Sequence, residues 1–396
     1  NWRSSGIGGI CKLPGPIRVL QVFALMNRGG AETMIMNLYR SIDRSMVQFD
    51  FIVHIDEKCA YDDEIEALGG AIYRMPRYTG ANHLHYKKMW HDFFQSHREY
   101  HIIHGHVRST AAIYLKIAIK YGLTTIAHSH STSSGYGVSS IVKSMMQFPL
   151  RYRADHFFAC SEESGQWLFG KKSSKKRLHV MQNAINVKDF IYNENIRNTK
   201  RKELKIENKY VVGHIGRFEK VKNHEYLIDI FKAVHDIKED AVLLLVGDGD
   251  LRQEINDKVN LMGLSDSVIF TGVRTDIPGL LQAIDVFVFP SLYEGIPVTL
   301  VEAQASGVHC IVSDTISKDV FVTDLIETIS LTQPVKMWSD AILRYYDGYD
   351  RSNTYDAITA AGFDVKNTAE WLEGFYLRIN DERKKLHAAQ NSETGI

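Results

Sequence analysis

The sequence predicts an α/β protein with two doubly wound parallel-sheet domains facing each other across a cleft. Three observations carry this. At 396 residues the chain is longer than one hydrophobic core sustains, so two cores are expected. Short runs of β-branched and aromatic residues alternate with amphipathic stretches from Ile17 to about His309, the pattern of repeated strand–helix–strand units. A polar, charge-rich stretch from Asn193 to Lys209 interrupts that alternation once, near its middle.

Residues 1–16 carry no initiator Met and no hydrophobic period, so they read as a flexible leader outside the fold. The first Rossmann-like domain is assigned to 17–187, with strands at Ile17–Phe23, Phe49–Val53, Tyr100–His104, Thr124–Ala127, His156–Ala159 and Leu178–Met181 and a helix from Ala31. The boundary falls near Asn183 to Phe190. The second domain, 188–365, resumes strands at Tyr210, Val242, Ser267, Asp285 and His309. From Val335 the chain reads as helical, and the aromatic stripe around Trp371 marks a last helix at about 366–386.

Lys plus Arg and Asp plus Glu are 47 each, so no net field favours nucleic acid. The four cysteines, Cys11, Cys59, Cys160 and Cys310, lack the spacing of a zinc site or a disulfide framework and fit a reducing cytoplasm. No apolar run approaches the roughly 18 residues that a membrane-spanning helix needs.

The segment Ser291–Gly307 carries the clearest chemistry. It follows the apolar run Asp285-Val-Phe-Val-Phe-Pro290, places Pro297 in a first helical turn, and ends at a helix-stopping Gly307. Helix-start N–H groups attract phosphate, while Glu294 and Glu302 accept hydroxyl protons well. A ligand with both phosphate and sugar hydroxyls satisfies the two together. Arg217, after a strand, and Lys222, five residues on, can aim two cations at one pyrophosphate. Gly29-Gly30 open a helix after the first strand, where the missing Cβ atoms let backbone approach a phosphate. Each feature also has a plainer reading: a solvated cation pair, an exposed helix carboxylate, an ordinary turn.

Together the motifs resemble those of the family-4 retaining glycosyltransferases with the GT-B fold, nearest the bacterial exopolysaccharide and capsule enzymes. The resemblance rests on Asn27-Arg-Gly-Gly-Ala-Glu32, Val211-Val-Gly-His-Ile-Gly-Arg217 with Lys222-Asn223, Leu243-Leu-Leu-Val-Gly-Asp-Gly249, Phe270-Thr-Gly272 and the pair Glu294 and Glu302. It runs from about Ile17 to about Gly307. It implies a nucleotide-sugar donor, a UDP-sugar in particular, and a saccharide or lipid-linked saccharide acceptor, with retention at the anomeric carbon. Arg217 and Lys222 would then neutralise the leaving diphosphate. Glu294 would hold the donor sugar, and Glu302 the ribose. Val273 and Arg274 would frame the base, and the backbone of Gly295, Ile296, Pro297, Val298, Thr299 and Leu300 would meet phosphate or sugar. His128 would stand at the transferred sugar, with Glu32, His106, His130 and Ser131 as acceptor-side candidates. The last helix would cross back to the first domain. The chain departs from its relatives at Ser313-Asp-Thr-Ile-Ser-Lys318, where many of them have glycines and an acid.

No cofactor or metal is expected. Gly247-Asp-Gly-Asp250 is read as a turn rather than a metal motif, because no further oxygen ligands accompany it. His104-Gly-His106 and His128-Ser-His130 raise a zinc reading, set aside because recurring Cys–His spacing is missing. The basic run Lys171–Arg177, close after Met145, Met146, Phe148 and Tyr152, fits either a solvated surface or contact with anionic lipid at the inner face of a cell membrane. Two rival functions share the phosphate site: a nucleotide-sugar epimerase of the same fold, and a catalytically silent sugar-nucleotide-binding subunit.

Overall fold

A computed structural model describes residues 15–130 and 138–393, with backbone alone over 138–141, 176 and 386–393. Most of the expected leader, and Ser131, lie outside the described residues. The first sheet comprises β1 (Ile17–Phe23), β2 (Val47–Val53), β3 (Ile72–Arg74), β4 (Ile102–Gly105), β5 (Thr124–Ser129), β6 (His156–Ala159) and β7 (Leu178–Val180). Its order is β3-β2-β1-β4-β5-β6-β7, parallel throughout. The second comprises β8 (Tyr210–Ile215), β9 (Ala241–Val246), β10 (Val268–Gly272), β11 (Val286–Phe289), β12 (His309–Ser313) and β13 (Ile326–Ile329), ordered β10-β9-β8-β11-β12-β13 and again parallel.

Burial on both faces follows from strand alternation. Along β1, Val19 and Phe23 join one core while Leu20 and Val22 join the core on the opposite face. The order reverses between β1 and β4 and between β8 and β11. Loops at those switch points diverge and leave a crevice at the carboxyl edge of each sheet.

Four segments differ from the sequence reading. Asn193–Lys209, read as a polar interruption of the pattern, holds the helix Glu194–Leu204, capped by the Asn193 side chain, which accepts from Ile196 N. That helix is tied to the second domain, since Arg197 and Arg201 both pair with Asp285. Lys171–Arg177 is a short helix, and its Arg177 turns inward to donate to Ala154 O and Arg151 O. The edge strands β3 and β13 went unforeseen, being only three and four residues long.

The last helix, Val365–Glu393, returns to the first sheet. Val365, Ala369, Leu372, Phe375, Tyr376 and Ile379 repeat at helical spacing and bury themselves with Val19, Phe49 and Met36. Its entry is fixed to the inter-domain connection by Ile185 N donating to Phe363 O and Val365 N donating to Ile185 O, each at 2.8 Å. Ile185, Val187 and Phe190 pack in a core of the second domain.

Candidate active site between the two sheets

The acidic loop after β11 is clamped from two directions. Asn223 Nδ2 donates to Pro290 O at 3.0 Å and Leu292 N to Val221 O at 2.8 Å, which tie it to the loop after β8. Ser313 Oγ and Thr315 Oγ1 donate to Ser291 O at 2.6 and 2.9 Å. The stretch Ser313–Lys318 therefore anchors the loop, and Ile316 also bridges to Glu294.

Glu294 forms an ion pair with Lys222 at 2.7 Å, and each side chain is only 16% exposed. Lys222 Nζ also stands 4.7 Å from the Phe289 ring centre. Arg217, in contrast, is 71% exposed and pairs with Glu219 at 2.9 Å. The two expected phosphate cations thus start from different partners. Their loop is built on glycine: a Cβ at Gly247, whose φ is +136°, would lie 2.1 Å from Gly216 O. The turn reading of Gly247–Asp250 accounts for both glycines, since a Cβ at Gly249 would meet Phe218 O at 2.6 Å.

A cleft of about 670 Å³ opens between the domains, within the size range of small-molecule sites. One wall holds Gly29, Gly30 and Thr33 of the first domain; the other holds Val273, Arg274, Val298, Thr299 and Glu302 of the second. Gly29 caps the helix Gly30–Ser41 in extended conformation and, having no side chain of its own, makes no side-chain cap hydrogen bond. The helix Val298–Ala305 likewise starts without a side-chain cap, so Val298 and Thr299 bring an uncapped helix start to the cleft. Burial pushes the Glu302 carboxyl up to about 7, although part of its surface still meets the cleft. Arg274 is held by Asp276 at 2.7 Å and by Glu203 at 3.1 Å, while Val273 is exposed.

Two backbone expectations fail. Pro297 has no N–H to offer, and Leu300 N donates to Pro297 O at 3.0 Å with its side chain buried in the core. Arg217, Lys222, Gly295, Ile296 and Glu294 do not line the cleft itself.

The histidines converge. His104 and His106 on and after β4, and His128 and His130 on and after β5, stack with ring centres 4.0 to 5.2 Å apart. Burial lowers all four, His130 to about 3, so they are neutral near pH 7. Among the described residues, His104, His106 and His128 form the one group of three potential metal ligands, with donor atoms within 4.8 Å of one another. Both nitrogens of His104 and of His106 are hydrogen-bonded, which leaves only His128 Nε2 free within the trio, so the group fits a hydrogen-bond network better than a metal centre. His106 and His130 line a second cavity of about 290 Å³ with Glu32, Arg108 and Lys143. Glu32 folds back over Gly29, and burial raises its carboxyl. Sequence reasoning missed Arg108, Lys143, Gln21 and Tyr376; only Gln21, a polar residue inside an apolar strand, left a local trace.

Two facing parallel-sheet domains with a cleft at their carboxyl edges define the GT-B architecture. Residues 28–189 match Glycosyltransferase Family 4 and residues 195–360 match Glycosyl transferases group 1. The chain is 37% identical over 339 residues to "Putative glycosyltransferase EpsF" of Bacillus subtilis, covering 83% of this chain and 87% of that one. It is 27% identical over 290 residues to the N,N'-diacetylbacillosaminyl-diphospho-undecaprenol alpha-1,3-N-acetylgalactosaminyltransferase of Campylobacter jejuni, covering 71% and 67%. The fold is shared with Anabaena HepE, solved in complex with UDP, at a TM-score of 0.69, 17% identity and coverage of 95% and 100%. The chain therefore belongs to the family-4 and group-1 glycosyltransferases. No described helix is long and apolar enough to cross a membrane.

Proposed function

We propose that this protein moves a sugar from a UDP-sugar to a saccharide or lipid-linked saccharide during exopolysaccharide or capsule assembly, with retention and without a metal ion. The observation that carries the reading is the cleft itself: glycine-started backbone on one wall faces an uncapped helix start, Glu302 and Val273 on the other. Ribose hydroxyls donate to Glu302, and the base lies against Val273 with Arg274 beside it. Beyond the helix start, Lys222 and Glu294 separate their charges onto the donor. The diphosphate takes Lys222, joined by Arg217 swinging from Glu219, and hydroxyls of the sugar take Glu294.

The bond from the anomeric carbon to the diphosphate oxygen breaks as the acceptor oxygen attacks from the same face, and the acceptor proton passes to the departing diphosphate. Two cations and a helix start supply the countercharge that a divalent ion supplies elsewhere. His128 faces the transferred sugar, and Glu32, His106 and His130 border the acceptor side. A screen of UDP-sugars for thermal stabilisation, then turnover with the best one and assignment of the product anomer, tests this. A ligand at 100 times its Kd raises stability by about 2.7 kcal/mol. Failure of every UDP-sugar to stabilise the fold, or an inverted product, would remove the corresponding part.

On this reading a lipid-linked acceptor would bring the enzyme to the inner face of the membrane. Met145, Phe148 and Tyr152 are 71%, 53% and 73% exposed, and the basic helix Lys171–Arg177 follows them in the same domain with Lys171, Lys172 and Lys175 exposed. Exposed apolar side chains combined with lysines suit anionic lipid. Co-sedimentation with phosphatidylglycerol vesicles should occur and weaken in Met145→Glu; equal binding by both proteins would reject that surface.

A further inference from the structure

The buried histidines form a continuous hydrogen-bond circuit with two free ends, whose polarity follows from the two groups that join its branches. Gln21 Nε2 donates to Tyr376 OH at 3.3 Å, and Gln21 Oε1, which can only accept, faces His106 Nε2 at 2.9 Å. His106 therefore carries its proton on Nε2 and leaves Nδ1 bare. His106 Nδ1 stands 2.8 Å from His130 Nε2, so His130 donates from Nε2 and its Nδ1 is bare. On the other branch, Tyr376 accepts from Gln21 and gives its own proton to His104 Nδ1 at 2.7 Å. His104 then donates from Nε2 to His128 Nδ1 at 3.1 Å, which leaves the His128 proton on Nε2. The deduction needs each ring to be neutral, as burial makes them.

The two ends of the circuit, His128 Nε2 and His130 Nδ1, are both buried and have no partner among the described residues. We propose that Gln21 and Tyr376 are positioning residues that hold all four histidines as Nε2–H tautomers, so that the site offers a hydrogen-bond donor at His128 Nε2 and an acceptor at His130 Nδ1. The ligand chemistry this selects is a polyhydroxyl one: a sugar oxygen taking the His128 proton and a hydroxyl donating to His130. Turning the Gln21 amide over would reverse every bond and convert all four rings to Nδ1–H. The circuit runs from the last helix to the carboxyl edge of the first sheet, so that helix contributes chemistry as well as packing. The effect on rate rests on the reading of His128 as the residue at the transferred sugar; the tautomers do not.

Nitrogen NMR of full-length protein with labelled histidine reads protonated and bare ring nitrogens directly. The expected result is Nε2–H at His104, His106, His128 and His130, and a bare Nε2 at any of them overturns the circuit. In Gln21→Glu the carboxylate accepts from both His106 and Tyr376. Tyr376 then accepts from His104, and His104 and His128 switch to Nδ1–H while His106 and His130 do not. No switch overturns the proposal. If that variant does not fold, Tyr376→Phe serves: signals of His104 and His128 should move while those of His106 and His130 stay, and four unmoved histidines overturn the proposal. Turnover of the best UDP-sugar should fall roughly tenfold in either variant with UDP affinity retained. A tautomer switch without loss of turnover upholds the circuit and removes His128 from the transferred sugar.

Discussion

Replacing Glu302 by Gln should stabilise the protein and weaken its hold on UDP, in opposite directions and with a shared pH dependence. Burial raises this carboxyl from its ordinary 4.5 to about 7, so the folded protein holds a proton there that the unfolded chain has lost. The sign is that of a destabilising charge. Between about pH 4.5 and 7 the native state binds more protons, and stability drains away as pH rises through that window. A displacement of about 2.5 pH units corresponds to ~3 kcal/mol, and partial exposure to the cleft reduces the expected effect to roughly 1–3 kcal/mol. The amide resembles the neutral acid at all pH values. Urea unfolding of the two proteins should give equal stability near pH 4.5 and a gap in favour of Glu302→Gln that grows to about pH 7 and then stays constant. Ribose hydroxyls bind the ionised carboxylate, so wild-type UDP affinity should rise across the same window and flatten above it. The variant should show flat, weaker binding, down roughly ten- to a hundredfold at pH 8, the scale of a charge-assisted hydrogen bond. Parallel stability curves would refute the buried acid, and equal UDP affinity would refute its place at the ribose.

Arg217→Ala should lower UDP-sugar turnover by the equivalent of ~2–4 kcal/mol of transition-state stabilisation with unfolding unchanged, since the side chain is largely exposed; wild-type turnover would end its assignment. Lys222→Ala should lose as much turnover and also some stability, because Glu294 is left largely buried without its cation; an unaltered urea midpoint would show that the pair contributes nothing to the fold. Glu294→Gln should impair transfer while UDP affinity, measured calorimetrically, stays near wild type; equal losses in Glu294→Gln and Glu302→Gln would abolish the division of labour between the two carboxylates. Turnover should survive excess EDTA, and a loss restored specifically by magnesium or manganese would return the Asp248–Asp250 turn to consideration as a metal site.

What was legible in the sequence is what the chain writes contiguously. Strand, loop and helix are adjacent at Asp285–Gly307, so apolar run, turn glycine and helix stop could be read together, and the carboxylates of Glu294 in the loop and Glu302 on the helix came with them. The same holds for Arg217 after β8 and for Gly29-Gly30 after β1. Where local signals misled, tertiary contacts had overridden them. Asn193–Lys209 is polar enough to break the strand–helix alternation, yet it holds a helix whose Arg197 and Arg201 find Asp285 more than eighty residues away. Nor could spacing predict that Lys222 rests against Glu294 rather than beside Arg217, because that depends on how β8 and β11 lie next to each other in the sheet.

The histidines show the limit most sharply. Two His-x-His pairs at strand ends look like a metal site when only residue types are counted, because type and spacing say nothing about which nitrogens are already engaged. The groups that engage those nitrogens are a glutamine inside the first strand and a tyrosine 272 residues beyond His104, on a helix whose apolar stripe alone could be read. Parallel order places Gln21 opposite His104 between neighbouring strands, and the returning helix lays Tyr376 across both. The last helix is therefore inseparable from the chemistry at the first sheet's carboxyl edge: moving it by one turn would detach Tyr376 from His104 and release the tautomer of His128, whatever became of the rest of the cleft.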